Sequence, residues 1–302
     1  MTNCVFAENT CTRRGGAIAL TSAHGTVIAD CSFTGNVAGA RGGAIHSYDS
    51  DYGIHDCDFV RNEADPNARG WGGAIMNDQG APSIVGCTFT GNLAFSGAGI
   101  CNWQSEALVE SCTFVECNVL TSCGGGVYNA GGSPTISKCL FRDNGVTNWG
   151  GALLDEFSSG IVIDCILWKN SAMVHGGAVY IGGNADLPTA YPEFINCTLS
   201  GNKATRGGAM YSYGCAATLW NSILWGNEAF IAGDGLCNNT LVFSAATEAF
   251  FCDIEGDGVY PGEGNLCADP LFQDPTRGDF QLQSGSPCLD AGSHVPSIET
   301  QD

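Results

Sequence analysis

The sequence is short of basic residues: Lys and Arg number 11 and Asp and Glu number 31, which leaves a formal net charge of −20 over 302 residues. A chain this acidic repels phosphate backbones and anionic lipid surfaces, so nucleic acid is excluded as a partner. No apolar run reaches the roughly 18 residues of a membrane-spanning helix, and no membrane span is predicted. The opening residues 1–6 lack the basic and apolar regions of a signal peptide, so none is predicted in this chain.

The sequence also lacks the spacings that mark metal sites. No Cys-x-x-Cys motif occurs, and no set of cysteines and histidines has zinc-finger spacing. Apolar residues show no stripe of helical period. We therefore predict no metal, no cofactor and no helical domain.

What the sequence has instead is a repeat. The stretch CTFTGN at 87–92 recurs as CSFTGN at 31–36 and as CTLSGN at 197–202, and Gly-Gly-Ala-Ile stands at 42–45 and 72–75. The pair of motifs recurs nine times at intervals of 25 to 32 residues, a period typical of a solenoid. We place the repeats in residues 1–251 and a closing segment of the same domain in residues 252–302.

Each repeat contains three short stretches that read as strands. The first follows the glycines, the second precedes the cysteine of the other motif, and the third includes its phenylalanine. Parallel stacking in register brings equivalent residues into columns along one axis. The sequence therefore predicts an all-β, right-handed parallel β-helix of about nine to ten coils with three strands per coil.

Two columns are predicted to be structural. The cysteines form a column of buried thiols, because in-register neighbours lie about 4.8 Å apart at every atom, which suits disulfides poorly. The asparagines tolerate left-handed backbone, and their amides can bond from coil to coil. Among the remaining cysteines, Cys117 with Cys123 and Cys267 with Cys288 are candidate disulfides. The columns are Cys31, Cys57, Cys87, Cys112, Cys139, Cys165 and Cys197, and Asn36, Asn62, Asn92, Asn144, Asn170 and Asn202.

Phe-x-x-Asn alternating with Gly-Gly-Ala-Ile resembles the repeat pair of the polymorphic outer membrane proteins, which are surface adhesins and autotransporter passengers. The likeness runs from about Cys4 to Asn227, with Leu for Phe in the last coils and Cys117 in place of one Asn. The stretches ADPLF at 268–272 and GSPCLDAG at 285–292 resemble the closing segment of secreted bacterial β-helix proteins of the pectate-lyase-like superfamily. The resemblance implies an extracellular or cell-surface, bacterial-like setting.

An enzyme that cuts pectin-like polymers would need carboxylates clustered on adjacent coils, with calcium or with general acid and base roles. Asp78, Asp155 and Glu156 follow the first strand but are spread over several coils. We predict no catalytic residue, and keep these three as the runner-up set, with calcium as the cofactor of such a lyase. His46 and His175 are predicted to be surface or turn residues.

A binding face is predicted beside the first strand. Ala or Gly precedes the inward aliphatic residue in each coil, and if this column faces outward it forms a flat track. Tyr128, Tyr180 and Tyr211 stand next to it, with Trp149 nearby, and such rings can stack on sugars or on a neighbouring molecule. The alternative is that the small residues serve a tight turn and the tyrosines are scattered surface aromatics.

Together these features predict a non-catalytic extracellular structural or adhesive protein that binds a second copy of itself, a surface polysaccharide or a surface protein. The alternative is a polysaccharide lyase or glycoside hydrolase acting on an acidic polymer. Self-association is suggested by the first coil, where Val5, Phe6 and Ile18 would lie at an open end. That end could also be covered by sequence that precedes this chain, and residues 1–3 folding over the edge would instead give a monomer.

Overall fold

The computed structural model is a rod of short parallel strands, and it describes residues 1–65, 69–183, 191–215, 217–239 and 247–295. Equivalent strands of successive coils pair in parallel, which builds four sheets along the rod. The predicted parallel β-helix is confirmed. Each coil holds one strand more than the three expected, because the residues after the repeat asparagine also pair with their copies, as Glu63 does with Val37.

We number the sheets in the order in which a coil visits them. Sheet one consists of Val5–Ala7, Ser32–Thr34, Asp58–Val60, Thr88–Thr90, Thr113–Val115, Leu140–Arg142, Ile166–Trp168, Thr198–Ser200, Ile223–Trp225 and Asp253–Ile254. Sheet two consists of Thr10–Cys11, Val37–Ala38, Glu63–Ala64, Leu93–Ser96, Asn118–Cys123, Gly145–Val146, Ser171–Ala172, Lys203–Arg206 and Glu228–Ala232.

The other two sheets hold the strands after the glycines and those before the cysteines. Sheet three consists of Ile18–Thr21, Ile45–Tyr48, Ile75–Asp78, Ile100–Trp103, Val127–Ala130, Leu153–Glu156, Val179–Gly182, Met210–Tyr213 and Leu236–Asn239. Sheet four consists of Val27–Ala29, Gly53–His55, Ser83–Val85, Leu108–Glu110, Thr135–Ser137, Ile161–Ile163, Glu193–Ile195, Thr218–Trp220 and Glu248–Phe250.

The core is a set of in-register columns. The phenylalanines of sheet one stack from Phe6 to Phe141, with successive ring centroids 4.6 to 4.9 Å apart and planes within 6° of parallel. Ile45 of sheet three and Ile54 of sheet four are fully buried in the same core. Parallel register thus turns one sequence position into one continuous apolar column.

The column of small residues before sheet three faces inward, so the predicted flat outer track is wrong. Ala44 and Ala74 are fully buried and belong to the core. At Gly99 of this column, an added Cβ would lie 2.8 Å from the Phe114 ring. The residues are small because they meet the stacked phenylalanines.

The seven repeat cysteines of the predicted column are buried, each exposed by 2% or less. Their thiols donate to backbone carbonyls two residues earlier, as Cys57 Sγ does to His55 O at 3.2 Å. The backbone N–H of the preceding coil donates to the sulfurs of Cys31, Cys57, Cys139 and Cys165, as Cys31 N does to Cys57 Sγ at 3.3 Å. These sulfurs therefore join two neighbouring coils without a covalent bond.

Both candidate disulfides are wrong, since the sixteen described cysteines are all free. Cys117 lies in the core, whereas Cys123 lies in an apolar cluster outside it. Cys267 Sγ donates to a backbone carbonyl 3.4 Å away, and Cys288 Sγ donates to Asp253 Oδ2 at 3.1 Å.

The asparagine column is a ladder of amide hydrogen bonds. Asn36 Nδ2 donates to Asn62 Oδ1 and to Phe6 O, both at 2.9 Å, and Asn36 N donates to the same Asn62 Oδ1 at 3.1 Å. The left-handed backbone expected at the asparagines belongs to the residue before each one, such as Arg61 with φ 52° or Gly91 with φ 61°. The turn is made one residue early, which leaves the amide free to bond between coils.

Beyond Ile254 the chain leaves the coils. Asn265 Oδ1 accepts a hydrogen bond from Cys252 N at 2.9 Å, the role that Cys252 Sγ plays for Ser222 N one coil earlier. An antiparallel hairpin, Phe272–Asp274 with Asp279–Leu282, surrounds the 3₁₀ turn Pro275–Arg277, and its Phe280 meets Trp168 of sheet one edge-on at 6.1 Å. The division into residues 1–251 and 252–302 stays a prediction.

Candidate functional site

Sheet three carries a second apolar cluster on its outer face. In each strand the residue after the inward aliphatic points away from the core, by the alternation of a β-strand. We call this the outer cluster; it consists of Met76, Cys101, Cys123, Tyr128, Ala130, Leu154, Tyr180 and Tyr211, with Trp71, Trp103 and Tyr213 packed against it.

The residue before each Gly-Gly motif lies over this outer face because the glycine makes a sharp bend. Gly72 has φ 69°, and an added Cβ would lie 2.2 Å from the carbonyl oxygen three residues later, so only glycine fits. The residues before the glycines pair in register, among them Arg41 with Trp71 and Cys123 with Trp149. We call the concave corner between this column and sheet three the aromatic groove.

Rings from the two sides of the groove stack on each other. Trp71 faces Trp103 with ring centroids 4.9 Å apart, and Trp149 faces Tyr180 at 5.1 Å. Tyr180 in turn stacks on Tyr211 at 5.7 Å. The groove is therefore lined by aromatic surface over several coils.

The structure brings the four predicted binding residues into this one region. Trp149 is 38% exposed, whereas Tyr128 and Tyr180 are 8% and Tyr211 is 3% exposed. Tyr211 lies beneath the lining, between the rings of His175 and Tyr180. Trp149 thus offers the most accessible ring of the four.

Sequence reasoning missed four groove aromatics, Trp71, Phe95, Trp103 and Tyr213. A signal for Trp71 is present in the sequence, since Trp71 and Trp149 both stand directly before a glycine motif. Trp103 and Tyr213 share a slot at the ends of their sheet-three strands, and only the register of that sheet identifies it.

Midway along, the groove holds a cavity of about 340 Å³, within the size range of small-ligand sites. Glu156 is the one charged residue among its described lining residues. The lining consists of Trp71, Phe95, Ser96, Ser122, Cys123, Tyr128, Trp149, Leu154, Glu156, Tyr180, Gly182, Gly183 and Tyr213.

Glu156 is held at the cavity by a neighbouring tyrosine. Tyr128 Oη donates to Glu156 Oε2 at 2.5 Å. Burial, and then the charge of Glu156, raise the pKa of Tyr128, so the phenol stays protonated as a donor. Glu156 joins none of the ion pairs formed by the described residues. Its negative charge is left to solvent or to a ligand.

Asp155, the runner-up catalytic residue next to it, points the opposite way, into the core. It is 1% exposed, and Asn129 Nδ2 donates to its Oδ1 at 2.7 Å. Burial raises the pKa of Asp155 to about 6, and the Asn129 hydrogen bond opposes that rise. A carboxyl in this position is out of reach of a polymer outside the rod.

Asp78 lies on the outer face, in the same column as Glu156 but three coils away. At about 4.8 Å per coil the two carboxylates are roughly 14 Å apart. Arg41 Nη1 pairs with Asp78 Oδ2 at 2.6 Å, and the Arg41 guanidinium lies 5.1 Å from the centroid of the Trp71 ring. Asp78 is therefore already engaged by a cation of the chain.

The surface position expected for His46 is wrong, since the residue is 3% exposed beneath the groove. Burial, and then the charges of Arg14 and Arg41, lower the pKa of His46 to about 4. His175, before a glycine motif, stacks on Tyr211 with centroids 4.1 Å apart, and burial lowers its pKa. Both rings are therefore neutral at pH 7.

The chain belongs to the family described as the right handed beta helix region, which it matches over residues 1–114 and 72–245. The predicted right-handed parallel β-helix is thereby confirmed. The finer resemblances, to polymorphic outer membrane repeats and to a pectate-lyase-like closing segment, stay predictions.

A relative is Metabotropic glutamate receptor-like protein R of Dictyostelium discoideum, 29% identical over 309 aligned residues that cover 98% of this chain and 18% of that protein. The chain thus spans less than a fifth of that relative's length. No solved structure matches the chain significantly.

The described residues contain neither a membrane-spanning helix nor a metal-binding cluster. None of the helices among them has the length and apolar character needed to cross a membrane. No group of three or more His, Cys, Asp or Glu side chains in the same part of the chain is placed to hold a metal ion.

Proposed function

We propose that this chain is a non-catalytic, extracellular or cell-surface β-helix that binds a carbohydrate in its aromatic groove. The observation that carries the proposal is the cavity beside Trp149, where aromatic walls surround the carboxylate of Glu156. Flat aromatic faces stack on the apolar faces of sugar rings, and a carboxylate accepts hydrogen bonds from sugar hydroxyls.

The spacing of the carboxylates supports binding over cleavage. Glycosidases place their two carboxyl groups about 5 to 9.5 Å apart, whereas Glu156 and Asp78 are roughly 14 Å apart and Asp155 lies in the core. The lyase or hydrolase acting on an acidic polymer is therefore the less favoured function, and a calcium requirement would belong to that alternative.

The negative charge of the molecule restricts the class of sugar that the groove can bind. A net charge of −20 disfavours polyanions at long range, and the carboxylate of Glu156 disfavours them at the cavity itself. The sugar is therefore neutral or cationic. The relative is named as a receptor-like protein, which supports a binding role.

Self-association is a further expectation from the sequence that we retain as a proposal. Val5 in the first coil is 76% exposed, and the first strands of sheets one, two and three pair on one side only among the described residues. The first strand of sheet four, Val27–Ala29, is also paired by residues 1–3, which cover that part of the end. Light scattering at increasing concentration tests it, and a strictly monomeric species at high concentration would rule it out.

Tryptophan fluorescence and calorimetric titration with a panel of neutral and amino oligosaccharides test the carbohydrate proposal. Trp149→Ala should weaken binding by about tenfold, since a stacked ring contributes on the order of 1 kcal/mol or more. Phe230→Ala is the matched control, because Phe230 is 90% exposed and lies outside the groove. No binding by any glycan, or release of reducing or unsaturated ends from pectin or alginate, would overturn the proposal.

A further inference from the structure

The groove contains an occupied cation site made from the chain's own residues. The guanidinium of Arg41 lies over the ring of Trp71, 5.1 Å from its centroid, and pairs with Asp78 at 2.6 Å. An aromatic face and a carboxylate together hold one positive charge here, the arrangement by which proteins bind organic cations.

The same arrangement recurs three coils later without its cation. Trp149 occupies the slot of Trp71, directly before a glycine motif, and Glu156 occupies the slot of Asp78, at the end of a sheet-three strand. The residue that pairs with Trp149 in the slot of Arg41 is Cys123. A cysteine side chain is far shorter than an arginine, and the cavity of about 340 Å³ opens at this place, lined by all three residues.

We infer that the groove takes a ligand with a protonated amine, and that this ligand is an amino sugar. This inference rests on the proposed function. In it, Glu156 and Trp149 bind the ammonium group of the sugar as Asp78 and Trp71 bind the guanidinium of Arg41. Tyr128 holds one oxygen of Glu156, and Oε1 accepts no hydrogen bond from the described residues.

The size of the cavity favours a sugar over the side chain of a partner protein. The Arg41 head fills its own site between two residues, whereas the cavity extends past Cys123 to Tyr180, Gly182 and Tyr213. Gly182 follows Glu156 in its column and adds no side chain. The space therefore accommodates a ring as well as its charged substituent.

The test compares oligomers of glucosamine and of N-acetylglucosamine of equal length, which differ in the positive charge. We expect the glucosamine oligomer to bind about tenfold more tightly at pH 6, and the preference to vanish at a pH that deprotonates the amine. Glu156→Gln should reduce the preference to within about twofold. Glu116→Gln, the same charge change at an exposed residue outside the groove, should leave it intact.

A second variant tests the geometry independently. Cys123→Arg places a tethered guanidinium in the empty slot and should abolish binding of the glucosamine oligomer, whereas Cys123→Ser should not. Equal binding of both oligomers to the wild-type chain would overturn the inference while leaving the proposed function standing. Binding of neither would overturn the inference, and the proposed function would fall with it only if no other glycan of the panel binds. Displacement of the sugar by a lysine peptide of equal charge at equal concentration would overturn the amino-sugar assignment.

Discussion

Asn129 Nδ2 and Asp155 Oδ1 lie 2.7 Å apart inside the β-helix, where a column of amides ends on a carboxyl group. Upstream in the same column, Asn77 donates to Asn102 and Asn102 donates to Asn129, each at 2.8 Å. The second oxygen of Asp155 is buried and accepts no hydrogen bond of good geometry from the described residues. A carboxyl group in such a place is more easily buried protonated than ionised.

Ionisation of Asp155 should therefore lower the stability of the fold. Its pKa is raised from 3.8 to about 6 in the folded chain, so the folded state binds more protons between these values. The contribution of Asp155 to the free energy of unfolding therefore falls by on the order of 2–3 kcal/mol as pH rises from about 4 to about 6.

Asp155→Asn isolates this contribution, because an amide keeps the acceptor for Asn129 and cannot ionise. The variant should match the wild-type chain near pH 4 and be more stable than it at pH 8, as measured by urea unfolding followed by circular dichroism. Asp257→Asn, at an exposed residue, serves as the control. A variant no more stable than the wild-type chain at pH 8 would contradict the assignment.

Cys117→Asn should complete the repeat ladder. Toward the next coil, Asn92 Nδ2 donates to a weak acceptor, Cys117 Sγ, at 3.9 Å. The backbone of Cys117 already has the ladder geometry, since Cys117 N donates to Asn144 Oδ1 at 3.0 Å. Replacing the weak acceptor by an amide oxygen should raise the free energy of unfolding by about 1 kcal/mol. Asn62→Ala, which breaks an intact rung, should lower it by about 2 kcal/mol or more. Denaturant unfolding of the two variants decides, and a destabilised Cys117→Asn would refute the prediction.

Gly91 and Gly72 both have a positive φ, but replacement by alanine should destabilise the fold to different extents. Gly91 has φ 61°, and the nearest atom to an added Cβ is 3.7 Å away, so Gly91→Ala should cost only the left-handed backbone, about 1–2 kcal/mol. Gly72→Ala adds a Cβ 2.2 Å from a backbone oxygen and should cost at least twice as much. Thermal and urea unfolding measure both, and equal losses would mean that the bend does not require glycine.

The thiols should differ widely in reactivity. Cys11 is partly exposed, and backbone hydrogen bonds from Arg13 and Arg14 lower its pKa. Cys101 is fully buried, and burial raises its pKa. Since the thiolate is the reactive form, brief treatment with iodoacetamide at pH 8 should label Cys11 first and Cys101 only after unfolding. Peptide mass spectrometry checks the order, and simultaneous labelling of the two thiols in the folded chain would contradict it.

The coil architecture could be predicted from the sequence because the repeat leaves little choice. A position that recurs once per coil must stack on its own copies when the strands pair in parallel. Phe33, Cys31 and Asn36 could therefore be placed in columns without coordinates. The short pairing after the asparagine could not, since strands such as Val37–Ala38 are two residues long and carry no period of their own.

The candidate site could not be predicted from the sequence alone. The repeat shows which residues stack from coil to coil, but not which residues of one coil lie close together on the two sides of a bend. The four predicted aromatics do meet, but on the outside of sheet three, while the alanines expected beside them face the core. The backbone at glycines such as Gly72 decides this, since their positive φ turns the preceding column back over the outer face. Only that turn brings Cys123, Trp149 and Glu156 to one cavity.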